Sequence, residues 1–343
     1  MIDFRSDTLT LPSKEMVNAM FKAHVGDDVF DEDPTVKQLE KYAATLFNKE
    51  AGLFLPSGTM ANQVAIKMHT NPLNEVICDS LSHIYYYEGG GVAFHSGASL
   101  RLVPTQKGIL SSEDILANIN PDNIHQPITT LVVVENTHNK AGGICYDLKQ
   151  LRDLKATCES NKLKLHMDGA RIFNAMIAKG YSAIDVGNAV DSITICLSKG
   201  LGAPIGTLLL ATQEDIVKAK RIRKVMGGAM RQIGFMAAAG LFALENNIDR
   251  IAIDHKHAKA VAAIFRRHPV IQKVVEPETN IVFLELKEQF SPKDFCASLA
   301  ARQIMAFPFG KNIVRLVTHM HITREQVDLL PSILDQLKIT TVN

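Results

Sequence analysis

Along the first two-thirds of the chain, short apolar runs alternate with stretches of helical periodicity. Runs at 52–55, 75–80, 129–137, 162–170, 192–200 and 205–212 predict strands. The middle of "TTLVVVENT" is apolar without interruption, as in a strand buried on both faces. Between the runs lie amphipathic segments such as "DLKQLRDLKATCESN", where Leu148, Leu151 and Leu154 recur at helical spacing. The segment "ANQVAIKMH" after the first run also predicts a helix. Strands alternating with helices argue for an α/β fold with a mostly parallel sheet covered on both sides. The last part changes character: a helical tract over 213–267 leads to strands at 280–286 and 313–319, with a helix in "SPKDFCASLAARQI" between them. We therefore expect a large domain over 1–244 that includes the N-terminal segment, and a smaller α+β domain over 245–343. No Pro/Gly/Ser-rich linker separates them, so a long helix is the expected connection. The small residues of "MAAAGLFALENN" within that tract suit close helix packing.

The chain has 343 residues, 46% of them hydrophobic and 21% charged, and a formal net charge of +1. That balance gives no whole-chain argument for nucleic acid or an anionic membrane as a partner. No apolar run approaches the roughly 18–20 residues that a membrane helix needs. The start, "MIDFRSDTLT", lacks the pattern of a secretory signal. Five scattered cysteines, odd in number and without a C-x-x-C, predict reduced thiols in a cytoplasm.

In parallel sheets ligands bind at the carboxyl ends of the strands, so the polar residues there carry the chemistry. "LKLHMD" ends in Asp168, which suits a helix cap, a metal ligand or a partner for a cation. "SITICLS" runs to Lys199, either a salt-bridging lysine or an amine kept for its nucleophilicity. "GLFLP" ends at Ser57-Gly58-Thr59, either a plain N-cap or a set of backbone N–H groups for a phosphate. Taken together, the three ends describe one ligand with a phosphate, a group needing an anion, and a carbonyl awaiting an amine. Pyridoxal 5′-phosphate has all three: its ring nitrogen is an electron sink when a carboxylate keeps it protonated, and its aldehyde condenses with a lysine.

The stretches "DFRSDTLTLP", "VGDDVFDEDPTV", "FLPSGTMAN", "VVVENTHN", "LHMDGARIFNA", "ICLSKGLGAPIG", "GGAMRQIG" and "IVRLVTH" span almost the whole chain. In this order they resemble the low-specificity L-threonine aldolases. The resemblance implies the pyridoxal-phosphate fold type I, similar to aspartate aminotransferase, with a seven-stranded type of sheet. It implies reversible cleavage of L-threonine or L-allo-threonine to glycine and acetaldehyde. It also implies a homo-oligomer, a tetramer (a dimer of dimers) or at least a dimer, with shared active sites. By position, Lys199 matches the Schiff-base lysine, Asp168 the partner of the pyridine nitrogen, and Gly58 and Thr59 the phosphate site. His83 matches the residue over the cofactor ring, and Ser6, Arg171 and Arg315 the substrate-carboxylate site. Lys224 and Arg231 match basic residues that reach a phosphate across the subunit interface. His125 matches a histidine associated with the substrate hydroxyl; read alone it is an exposed loop residue. The chain departs from the family at Phe30-Asp31, where Tyr-Gly is common, and at Met60, where a polar residue is common. These departures touch preference rather than reaction type.

The β-hydroxyl must lose a proton as the carbon–carbon bond breaks, and histidine is the default base, which makes His83 and His125 catalytic candidates. Two guanidiniums are suited to orient a carboxylate. Other signals receive plainer readings. "HKH" at 255–257 and "HMH" at 319–321 lack third and fourth ligands, so no metal site is expected. "EGGGVAFHSGA" lacks the strand–glycine–helix setting of a dinucleotide site. "KAKRIRKVMGG" reads as an interfacial helix face, and the acidic "GDDVFDEDP" as a surface turn that caps helices or meets basic groups of another subunit. The alternatives within the fold are a β-eliminating lyase or an aminotransferase. A silent binding protein would have lost Lys199 or Asp168, and a nicotinamide oxidoreductase would need a fingerprint the chain lacks.

Overall fold

The computed structural model describes residues 1–337. It divides into two units, one formed by Leu11–Ile248 and one by Met1–Thr10 together with the chain from Asp249 onward. The expected large domain included the N-terminal segment; the structure instead joins the first ten residues to the C-terminal unit. The reason is backbone pairing. Strand β1 (Ile2–Asp3) pairs in parallel with Ile304–Met305, and Phe4 accepts the Val317 N–H while its ring is fully buried.

The larger unit holds a seven-stranded sheet. Its strands are β2 (Ala51–Leu55), β3 (Asn74–Asp79), β4 (Ser99–Val103), β5 (Ile128–Glu135), β6 (Lys164–Asp168), β7 (Ser192–Cys196) and β8 (Thr207–Ala211). Their order is β2-β8-β7-β6-β5-β3-β4. Only β8 runs antiparallel to its neighbours; the other pairings are parallel. Leu53, Leu55, Leu209 and Ala211 pack against Ala61, Val64, Ala65 and Met68 of the helix Gly58–His69. Fully burying one such leucine contributes about 2 kcal/mol.

Strand β4 carries little apolar signal because it is a half-exposed edge strand, and its Arg101 pairs with Glu75. The expected tract over 213–267 is three helices, Gln213–Val225, Gly234–Asn246 and Ile251–Phe265. The first break falls at Gly227, whose φ of 78° is a left-handed conformation that glycine adopts without strain. The expected single long connecting helix is therefore absent; the units divide between the second and third of these helices.

The smaller unit has a four-stranded antiparallel sheet of β9 (Ile271–Val274), β10 (Ile281–Leu286), β12 (Phe307–Pro308) and β13 (Ile313–Val317), with β11 (Ile304–Met305) pairing to β1. Phe4, Phe265, Phe295, Leu284 and Leu316 anchor its core.

Candidate active site

Because β2, β3, β5, β6 and β7 point the same way, their carboxyl ends lie along one edge of the sheet. At the end of β2, Ser57 caps the helix Gly58–His69 by accepting the Met60 N–H at 3.2 Å. The N–H groups of Gly58 and Thr59 stand in the first turn, where no helix carbonyl can reach them. A Cβ at Gly58 would lie 2.9 Å from the Cys196 Sγ on β7, so only glycine lets the loop approach that strand. As an edge strand, β2 has outward backbone groups that need partners. Glu40 accepts the Phe54 N–H at 2.8 Å, and buried Arg223 donates to the Phe54 carbonyl at 2.7 Å while pairing with Asp28 at 2.9 Å.

At the end of β6, buried Asp168 accepts the Ala170 N–H at 3.1 Å and an Asn62 Nδ2–H at 2.8 Å. Burial alone would raise its pKa. The charges of His83 and Lys199 and the Asn62 and Ala170 donors outweigh burial and hold the carboxyl below its usual range. Asn62 also donates to Glu88 Oε1 at 2.9 Å, while its own oxygen accepts from the Thr194 hydroxyl at 2.8 Å. Glu88 further accepts from Gln63 at 2.6 Å and meets His83 Nδ1 at 2.9 Å. A carboxylate only accepts, so Nδ1 carries hydrogen and Nε2 is left as the basic nitrogen. The His83 N–H donates to Glu135 Oε2 at 2.8 Å. Burial disfavours the imidazolium, but Glu88, Asp168 and Glu135 together raise the His83 pKa above the ordinary 6.5.

Lys199 lies three residues past the end of β7 in a bend, half-buried, and its charge acts on Asp168. The strand is thus shorter than the 192–200 run. Arg171 is buried just before the helix Ile172–Lys179. His125 is exposed in a loop, its N–H on Asn123 Oδ1 at 3.0 Å. Lys224 is exposed, and Arg231 reaches Asp27 of its own chain at 2.8 Å. The acidic stretch therefore meets basic groups within one chain, through Asp27 and Asp28, and Asp33 caps the helix Pro34–Leu46. In the smaller unit, Ser6 caps the turn Asp7–Leu9, and Arg315 on β13 donates to the Arg5 carbonyl at 3.2 Å and lies 4.6 Å from the Phe309 ring centre. His319 spends both ring nitrogens on backbone groups, Nε2 on the distant Asp3 carbonyl and Nδ1 on the His321 N–H.

Sequence reasoning did not single out Asn62, Gln63, Glu88, Glu135 or Thr194. The available signal was a pair of amides on an otherwise apolar stretch of helix, one of them inside "FLPSGTMAN".

A family model described as beta-eliminating lyase matches residues 3–289. A low specificity L-threonine aldolase of Escherichia coli K12 is 42% identical over 95% of this chain and 96% of its own length. The chain belongs to the low-specificity L-threonine aldolase family. A probable low-specificity L-threonine aldolase 2 of Arabidopsis thaliana is 37% identical over 98% of this chain and 97% of its own length. The solved structure of Leishmania major threonine aldolase superposes with a TM-score of 0.85 at 20% identity, covering 98% of this chain and 99% of that one. Serine palmitoyltransferase from Sphingomonas wittichii reaches 0.77 at 15% identity, covering 97% and 86%. At these identities the structural likeness shows the fold alone, that of the fold type I enzymes. Membership makes the chain an aldolase by family and a lyase by class.

Proposed function

We propose that this family member binds pyridoxal 5′-phosphate and cleaves the Cα–Cβ bond of L-threonine and L-allo-threonine, giving glycine and acetaldehyde. The observation that carries the reading is the ionised, buried Asp168 under the charge of Lys199, beside the Glu88–His83 pair. The donor set fits the cofactor. Gly58 and Thr59 offer unsatisfied helix N–H groups to a phosphate, Asp168 offers a carboxylate to a ring nitrogen, and Lys199 offers an amine to an aldehyde. When bound, the cofactor supplies an electron sink for the pair left at Cα.

The protein's own residues do the rest. The buried carboxylate of Asp168 keeps a cation favoured at its end of the site. The Arg171 guanidinium suits a substrate carboxylate through paired N–H···O bonds; Ser6 and Arg315 are proposed as carboxylate-binding residues on the family resemblance alone. His83 Nε2 takes the proton of the β-hydroxyl, with Glu88 holding the opposite nitrogen and thus the ring. His125 is retained as a second candidate for contact with that hydroxyl. Such orientation gives a large entropic advantage over reaction in solution.

We extend the reading to a cytoplasmic homotetramer, a dimer of dimers in which Lys224 and Arg231 serve a neighbour's phosphate. Exposed Tyr85, Tyr86 and Phe94 beside a cavity of about 550 Å³ support a buried role for that face. Among the described residues, no helix is long and apolar enough to cross a membrane. The domain reading that best serves this function is a cofactor unit over Leu11–Ile248.

The test is direct. The purified protein is expected to be yellow and to release acetaldehyde and glycine from both epimers. Lys199→Ala is expected to be colourless and inactive. Release of ammonia and a keto acid instead would make it an elimination enzyme.

A further inference from the structure

Two buried carboxylates, Asp168 and Glu88, approach the same side chain. Asn62 is 2% exposed, and its one NH₂ group donates to Asp168 Oδ2 at 2.8 Å and to Glu88 Oε1 at 2.9 Å. Its orientation follows from chemistry. Carboxylates only accept, so the nitrogen must face them, and the Thr194 hydroxyl donates to the oxygen at 2.8 Å. Thr194 lies on β7, Asp168 on β6, Asn62 on the helix Gly58–His69, and Glu88 just past the helix His83–Tyr86. Four segments therefore meet at one amide.

Two like charges this close would ordinarily push one carboxyl to take up a proton. A neutral double donor between them removes that tendency by giving each a hydrogen bond. The ligating atoms of His83, Glu88 and Asp168 lie within 4.8 Å of one another, a spacing that also suits a cation. A cation there would have to displace the Asn62 N–H groups from both carboxylates, and the amide already does its electrostatic work.

We propose that Asn62 is a positioning residue that couples the two ends of the site, one N–H fixing the Asp168 carboxylate and the other fixing the Glu88 carboxylate that holds His83. The inference rests on the function proposed above. At one end Asp168 faces Lys199 and His83; at the other His83 faces Glu88, Asp168 and Glu135. Asn62 is the neutral link between these groups, and Thr194 is its lock. Without the link, both carboxylates lose a donor and become more basic. Asp168 then holds a proton on a ring nitrogen to higher pH, and the Glu88–His83 pair holds its shared proton to higher pH.

The test compares holoenzyme variants. Asn62→Leu removes both donors at similar volume. Glu88→Gln removes the charge beside His83 and leaves the Asp168 end in place. Thr194→Val removes only the lock. Three quantities are read: the acid limb of kcat/KM against pH, the pH titration of the cofactor's visible absorbance, and the ¹⁵N resonances of the His83 ring. The last is read whether or not the protein turns over substrate.

In Asn62→Leu the acid limb and the His83 titration are expected to move up by about half a unit or more. The absorbance titration should move with them, and kcat should fall about 10- to 100-fold with little change in KM. In Glu88→Gln the His83 titration should move down and the absorbance titration stay. Thr194→Val should move both in the Asn62→Leu direction by less, and it carries the test if the leucine variant does not fold. A folded Asn62→Leu variant in which either titration keeps its wild-type position overturns the coupling. Unmoved titrations in Thr194→Val overturn it equally when that variant must stand alone. A colourless wild-type protein that leaves threonine intact would instead sink the functional reading, while the His83 resonances would still report on Asn62.

Discussion

Glu40 ties stability to pH through the strand that leads to the phosphate loop. It sits on the helix Pro34–Leu46 and accepts the Phe54 N–H. Burial is the main cause that raises its carboxyl from 4.5 to about 7; Asp28 adds to the rise, while the Phe54 N–H, Lys220 and Arg223 oppose it. Below pH 4.5 the group is protonated in both folded and unfolded chains and has no effect. Between 4.5 and 7 the unfolded chain releases the proton and the folded chain keeps it, so rising pH favours unfolding. Each unit is worth about 1.4 kcal/mol, so about 3 kcal/mol is lost across the window and stays lost above it.

Glu40→Gln keeps an oxygen for the Phe54 N–H and has no proton to release. The variant should therefore match wild type near pH 4.5 and exceed it by about 3 kcal/mol at pH 8, which is about 6 °C in Tm for a unit of this size. Thermal unfolding of both proteins at pH 5 and pH 8 checks this. A Tm difference that changes by less than about 1 °C between the two conditions would refute the buried-carboxyl reasoning. So would a variant less stable than wild type at pH 8.

His83 must be unprotonated to act as a base and its pKa is raised, so kcat/KM should fall with acid along a limb that lies above pH 6.5; a limb at or below that value excludes His83. His83→Asn should stay yellow but change the rate or the threonine to allo-threonine ratio, and unchanged kinetics with both epimers would remove His83 from the mechanism. Gly187→Ala would drive a Cβ into the Phe47 carbonyl and should cost about 3 kcal/mol or more, seen as lost Tm or insolubility. Gly200→Ala meets nothing within 4 Å and should keep the wild-type Tm. Asp31 holds a φ of 59° and pairs with Lys37 and Lys220 on the surface. Salt screens those pairs but not the backbone strain, so Asp31→Gly should gain more Tm at 1 M salt than at low salt.

The strands of the seven-stranded sheet were legible because most are buried on both faces, and burial demands continuous apolar runs. Asp168 and Lys199 stood out because a charged residue just past such a run has few ordinary reasons to be there, and the fold brings the Lys199 charge to act on Asp168. Edge strand β4 was not, since its half-exposed face accepts Arg101. The chain's own pairing partners were equally hidden: Ile2 finds Ile304, and Asp27 and Asp28 find Arg231 and Arg223.

What the amino-acid order determined alone was local: periodicity, the polar residues that end each strand, and the glycines that allow close approach. Only the folded chain decided that Asn62, Glu88 and Thr194 meet Asp168 and His83, and that the first ten residues join the C-terminal unit. Hydrogen bonds between distant segments depend on where three or four elements converge. An amide or carboxylate looks the same in sequence whether it faces water or a second buried charge.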